Sequence, residues 1–216
     1  VNVKYHSGYN SCSKCTIEGT NTENRICFPT YTSHPLREET KFRNLQYEEY
    51  QKGNTVLTEI PNFNIMSNVV LDSMHLVYLG VVKRLIMLWM VKGPRIIRLS
   101  SLQKQKISTK LESILNILPN DFVKRSRSLT HWHKWKATEF RHFLLYSGPV
   151  VLKDIVAANV YDHFIMLHAA ITIFNDPILI KDEKNLESAH YLLRTFVTQF
   201  ANIYGPENVT FNVHNL

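Results

Sequence analysis

Cysteine is scarce in this sequence, with three residues in 216. A disulfide framework therefore does not hold the fold, and a reduced intracellular chain is the simpler reading. Glycine is also sparse, at seven residues. There is no glycine-rich phosphate loop, no G-x-S-x-G and no H-E-x-x-H, so nothing local points to a nucleotide fold or a hydrolase nucleophile. No basic-then-apolar leader opens the chain, and no repeat or low-complexity tract interrupts it. The longest apolar stretch, Leu76 to Val91, is broken by Lys83 and Arg84. A bilayer would have to bury that pair at its centre, so the stretch reads as a buried helix and not a membrane span. Acids are few in the middle of the chain: from Lys83 to Arg141 there are 14 Lys or Arg against Glu112, Asp121 and Glu139.

What is present is globular in character. Hydrophobic residues make up 44% and charged residues 20%, enough for one large or two small domains with a real core. The formal charge of +7 is concentrated in the basic middle. Two readings fit that concentration: a polyanionic partner, nucleic acid being the commonest, or a solvated basic face. The first residue is Val1, and the last six, Phe211 to Leu216, are a run of mixed apolar and polar side chains, so both ends read as cut from a longer chain.

Residues 1–65 are turn-rich, with Gly8, Gly19, Pro29, Pro35, Gly53 and Pro61, and hold little apolar material of their own. From Asp72 the pattern turns helical, with Met74, Val77, Tyr78, Val81, Val82, Leu85, Leu88 and Trp89 at helical spacing until Gly93-Pro94. A second helix, capped by Ser100 or Ser101, is expected to bury Leu102, Ile107, Leu111, Ile114, Leu115 and Leu118 before Pro119. A basic connection follows. Further helices are expected from about Trp135 to Tyr146, through Val150–Ala158 and Tyr161–Phe174, and from about Asn185 to Tyr204, closed by Gly205-Pro206. Val209–Val213 reads as extended or as the start of another helix. The fold class is mainly α, with boundaries at 1–65, 66–208 and 209–216.

The sharpest chemical signal is Cys12-Ser13-Lys14-Cys15. Two thiolates at this spacing can face one ion, and a structural zinc needs four N or S ligands. A redox pair and two unrelated thiols are the alternatives. Cys27, His6, His34, His75 and His214 are all chemically able to complete a metal site. Asp72 and His75, at i and i+3, fit either an active-site or metal-supporting pair or an N-cap with its N3 residue. Lys124, Arg125 and Arg127, then Lys134 and Lys136, form either a phosphate-contacting stretch or a plain exposed loop. None of Lys124, Arg125 and Arg127 sits on an apolar face, so exchanging them should leave the fold intact.

Taken in order, the motifs resemble a known family. His6-x-Gly8-Tyr9-x-x-Cys12-x-x-Cys15-x-x-x-Gly19 comes first, followed by Leu36-Arg37-x-x-x-x-Phe42-Arg43. Asp72-x-Met74-His75-Leu76-x-x-Leu79-Gly80-Val81 is next, then Trp135-Lys136-Ala137-x-Glu139-x-Arg141-x-Phe143-Leu144-Leu145-Tyr146-x-Gly148-Pro149. Tyr204-Gly205 and Asn212-Val213-His214-Asn215-Leu216 close the series. The ordered set resembles transposases of CACTA-like elements in animal genomes and, more distantly, the catalytic core of the V(D)J recombinase.

That resemblance implies an RNase-H-like parent enzyme of the DDE type, nuclear, working on DNA in a homodimeric assembly. In such a parent, Asp, Asp and Glu hold two divalent ions, magnesium in the intact enzyme, for strand nicking and transfer. A helical insertion separates the second Asp from the Glu. Cys12, Cys15 and His214 match three ligands of a structural zinc, the fourth being a histidine after residue 216. No residue here matches the catalytic carboxylates, so the chain by itself is expected not to cut DNA. A domesticated or decayed remnant that binds DNA or protein is the competing reading, and a helical scaffold unrelated to DNA is a third.

Overall fold

The computed structural model describes residues 1–29, 34–115 and 127–216. It is mainly helical, and among the described residues the sheet structure is a single two-stranded hairpin. Two compact units form: Val1–Asp72 together with Pro206–Asn215, and Ser73–Gly205. The divisions therefore lie at 72/73 and 205/206 rather than at the expected 65/66 and 208/209.

The first unit is largely irregular. Its hairpin pairs β1 (Thr20–Thr22) with β2 (Arg25–Cys27) in antiparallel register, Thr20 opposite Cys27. Glu23 and Asn24 at the tip have φ of 51° and 60°, the positive values that a tight right-twisted hairpin needs. Helix α1 (Glu39–Arg43) and α2 (Ile65–Asn68) are short. Phe42 from α1, Tyr50 and Ile65 from α2 form one small core, against which Leu57, Met66 and Val69 pack. This packing carries the unit past residue 65. Lys14 adds to it by donating from Nζ to the carbonyls of Met66 (2.7 Å) and Val69 (3.3 Å).

The second unit is built from helices. Its α3 (Met74–Lys92) buries Val77, Tyr78, Val81, Val82, Leu85, Ile86, Leu88 and Trp89. By length and composition α3 is apolar enough to cross a membrane. Ser73 ahead of it is already helical, which leaves Asp72 at the expected N-cap position, while Met74 is exposed rather than buried. Helix α4 (Ser101–Leu115) opens on a reciprocal cap: the Gln103 N–H donates to Ser100 Oγ (3.3 Å) and the Ser100 N–H to Gln103 Oε1 (2.9 Å). Ile107 and Leu111 are buried, but Leu102 faces solvent, because its position in the first turn lies off their stripe. The expected burial of Leu118 and the stop at Pro119 lie outside the described residues.

Gly148-Pro149 does not break its helix. Helix α5 (Ala137–His142) runs through a π-helical turn (Phe143–Ser147) into α6 (Gly148–Leu152). In π register the residue five before Pro149 is Leu144, whose carbonyl loses a donor because proline has no N–H. His168 Nδ1 supplies the missing hydrogen bond to Leu144 O at 2.9 Å. Gly148 is fixed by space, since a Cβ there would meet Phe143 O at 2.5 Å and the Phe164 ring at 2.6 Å. Substituting His168 with Leu should cost about 1–3 kcal/mol, the usual penalty for an orphaned buried carbonyl. Urea unfolding followed by circular dichroism measures it; an unchanged midpoint would mean that the carbonyl finds another partner.

Helices α7 (Ala158–Asn175) and α8 (Glu183–Tyr204) pack antiparallel, so that His163 near the start of α7 meets Phe196, Phe200 and Tyr204 near the end of α8. Asp182 caps α8 by accepting from the Lys184 N–H (3.0 Å), so the helix starts at Glu183, two residues before the expected Asn185. Gly205, at φ 94°, ends it with its N–H on Ala201 O.

Candidate metal centre

The C-x-x-C segment folds as a tight knuckle. The N–H groups of Lys14 and Cys15 both point at Cys12 Sγ, each at 3.4 Å. Extended pairing braces the knuckle on one side: Cys15 bridges Leu36, the Thr16 N–H donates to Pro35 O, and the Arg37 N–H donates to Lys14 O. The other partner arrives from far along the chain. Cys27 at the end of β2 bridges Thr210, and the Phe28 N–H donates to Val209 O at 2.7 Å. One turn of helix, α9 (Phe211–His214), then lays the His214 ring against Phe28, centroids 5.3 Å apart and nearly parallel. The 209–213 segment is thus extended at first and helical afterwards.

This arrangement brings Cys12, Cys15 and His214 together. Their ligand atoms all lie within 4.8 Å of one another, close enough to bind one metal ion. The two sulfurs are 3.5 Å apart and Cys15 Sγ is 3.3 Å from His214 Nε2. Tetrahedral bonds of about 2.3 Å to sulfur and 2.0 Å to nitrogen place such atoms roughly 3.5–3.8 Å apart, so small movements suffice. Both cysteines are buried, among Ile17 and Phe28, with Ile26 and Phe211 packed beside them. The surroundings already favour a thiolate. The hydrogen bond from Cys15 is the main influence that brings the Cys12 thiol down to about 4, with help from His214, while the same contact and burial push Cys15 upward. Asn215 Oδ1 stands 3.4 Å from Cys12 Sγ.

Other candidates from the sequence fall elsewhere. Cys27 is buried but donates to Glu207 O at 2.9 Å, and it is not part of the cluster. His6 places its ring beside Phe211, 6.2 Å between centroids. His34 is likewise not part of the cluster. Asp72 closes the first unit and His75 lies in the second; both are exposed and neither belongs to the cluster. Lys124 and Arg125 lie outside the described residues. Lys134 and Lys136 are exposed on and just after the turn Leu129–Lys134.

Arg127 is committed within the protein. It donates from Nε and Nη2 to the two carboxylate oxygens of Glu139 (2.7 and 3.2 Å) and from Nη2 to Lys134 O. Glu139 also accepts from the Lys136 N–H, capping α5. Burial works to raise the Glu139 pKa, but these donors outweigh it and hold the carboxyl below its ordinary range. Removing Arg127 would strip the cation from a buried carboxylate, so it cannot be exchanged as neutrally as its position off any apolar face suggested. Arg37, which the sequence shows only as one position of an ordered motif, is buried against the knuckle. No local pattern flags it, because its partners are backbone carbonyls and tyrosine rings. No family model matches this chain, and neither characterised proteins nor solved structures yield a match.

Proposed function

We propose that this chain is the zinc-stabilised, DNA-holding part of a cut-and-paste transposase of the CACTA-like type, with the helical unit as the insertion in an RNase-H-like parent. The observation that supports this reading most is the meeting of Cys12 and Cys15 with His214, partners 199 residues apart for Cys15. The ordered resemblance implies that ligand set, whereas a redox C-x-x-C requires no distant histidine. Two sulfurs and an imidazole in a small buried site suit zinc above harder ions. The metal would pin a discontinuous unit whose own core is small, and the helical unit would be inserted between its two parts. Catalysis is assigned to carboxylates outside these 216 residues, so the chain holds DNA and does not cut it, in the nucleus and as part of a homodimeric parent. A non-catalytic remnant would keep the same site and differ only in what surrounds it in the gene.

Native mass spectrometry on chain purified without added metal tests the zinc; the expected species carries one zinc ion, and a metal-free species alone overturns the assignment. DNA binding is read by fluorescence anisotropy on a short duplex at several salt concentrations. Binding should be weak and indifferent to sequence, on the order of 10⁻⁴–10⁻⁶ M at physiological salt. Replacing Lys124, Arg125, Lys134 and Lys136 with Ala, and sparing Arg127, should weaken it. The salt slope should fall by roughly 0.9 for each phosphate that is no longer neutralised. Superimposable curves for wild type and variant would leave the basic stretch an ordinary solvated loop.

A further inference from the structure

Arg37 is an unusual residue for its place: a cation only 7% exposed, with no carboxylate in ion-pair reach among the described residues. Its Nε donates to Cys12 O at 2.9 Å and its Nη2 to Asn10 O at 3.2 Å. The guanidinium lies over Tyr50, 4.1 Å from the ring centroid, and 4.8 Å from that of Tyr47. A buried guanidinium with no carboxylate partner is costly, and it is retained where fixed dipoles and π faces replace its water and the nearby Cys12 and Cys15 sulfurs help to balance its charge. Here both dipoles belong to the segment that carries the first cysteine. The cavity beside it, about 290 Å³ and also lined by Asn10 and Thr16, is rimmed by Glu48 and Glu49. Those acids oppose an anionic ligand, which leaves the guanidinium as an internal brace.

We propose that Arg37 is the positioning residue of the metal loop: by holding the Cys12 and Asn10 carbonyls against Tyr47 and Tyr50, it sets the knuckle so that both thiols face His214. This rests on the metal reading above. The Cys12 carbonyl is held by the guanidinium, and one and two peptide units further on the N–H groups of Lys14 and Cys15 reach Cys12 Sγ. A planar fork can hold two carbonyls while stacking on a ring. Lysine offers a point charge and recovers part of this, and methionine recovers none.

Cobalt(II) titration of the full chain separates this role from a general loss of stability. Wild type should take up one cobalt with thiolate-to-metal charge-transfer bands and tetrahedral visible bands. Arg37→Met should bind about 10- to 100-fold more weakly, the usual effect of losing an outer-shell support, and its bands should change in position or intensity. Arg37→Lys should fall between the two and keeps the test open if the Met variant does not fold. Leu57→Ala, which thins the packing against the Phe42–Tyr50–Ile65 core while keeping Arg37, both tyrosine rings and the two carbonyls it holds, should bind cobalt as wild type does. Equal affinity and equal spectra for Arg37→Met and wild type overturn the proposal, as does a Leu57→Ala loss as large as that of Arg37→Met. A wild type that takes up no cobalt overturns the metal reading itself, and the two failures are thereby distinguished.

Discussion

Chelating the metal proposed for the Cys12–Cys15–His214 cluster, or replacing Cys15 with Ala, is expected to release the amides of residues 12–28 and 206–214 to rapid hydrogen exchange. The first unit consists of two stretches, Val1–Asp72 and Pro206–Asn215, joined by hairpin-edge pairing and by the Cys12–Cys15–His214 cluster. A metal held between residues 15 and 214 cross-links positions 199 apart. By the chain-entropy relation for cross-links, closing a loop of that length removes about 5 kcal/mol from the unfolded state. Structural zinc sites contribute about 10–16 kcal/mol of apparent binding energy at neutral pH, much of it coupled to folding. Even a fraction of this should lower protection in these segments at least ~100-fold, or about 2.7 kcal/mol. The buried amides of α7 and α8 should keep their protection, since their core is aromatic and holds no ligand. Hydrogen-exchange mass spectrometry with and without chelator reads both at once. Unchanged protection in residues 12–28 after the metal is removed would show that packing alone holds the unit.

Acidification from pH 7 to pH 4 is expected to take about 3 kcal/mol from the helical unit through one residue, His163. Its ring is fully buried, stacked on Phe196 at 4.0 Å between centroids, with Phe200 and Tyr204 edge-on. Nε2 donates to Phe196 O at 2.9 Å, while Nδ1 has no hydrogen-bond partner and faces apolar surroundings. Burial is the main cause that brings the folded-state value from 6.5 to about 4, against the opposing pull of the Phe196 carbonyl. Between those two values the unfolded chain carries a proton that the folded chain refuses. Stability from this group is therefore complete above about pH 6.5 and lost as the pH falls through about 4. The fall from 6.5 to about 4 corresponds to ~3 kcal/mol. Other groups titrate in the same window, so the comparison needed is with His163→Gln, which keeps an N–H for Phe196 O but cannot take up the proton. That variant should be less stable at pH 7 and show a weaker pH dependence in urea unfolding. Parallel pH profiles for the two proteins would place the acid sensitivity elsewhere.

The helical unit was legible in the sequence wherever one apolar stripe ran the length of a helix. Val77 to Trp89, and Ala189, Leu193, Phe196, Phe200 and Tyr204, are buried at helical spacing, and the Gly205 stop stands where expected; Leu186 at the foot of the last stripe is exposed and Val197 half-buried. The legibility failed at ends and irregularities. Met74 and Leu102 have the right spacing but sit in first turns that face solvent. Pro149 reads as a break, yet a π-helical turn and the His168 side chain carry the helix past it. The donor lies 24 residues downstream, where no local rule looks.

Read alone, the residues establish the mainly helical class, the loop-rich character of the first 65 positions, and a C-x-x-C with the spacing of half a metal site. Those features are local: they depend on periodicity, on glycine and proline, and on two cysteines three positions apart. Composition left five candidate residues free to complete the site, and only the resemblance singled out His214. Tertiary packing settled what no spacing encodes. It paired the edge of β2 with Val209 and Thr210 and so brought His214 to the cysteines, while Cys27 turned to Glu207 O. It placed Arg37 beneath the knuckle and closed Arg127 onto Glu139. Each of these contacts joins residues at least 12 apart, and its energy depends on burial, which is a property of the packed chain and not of any one segment.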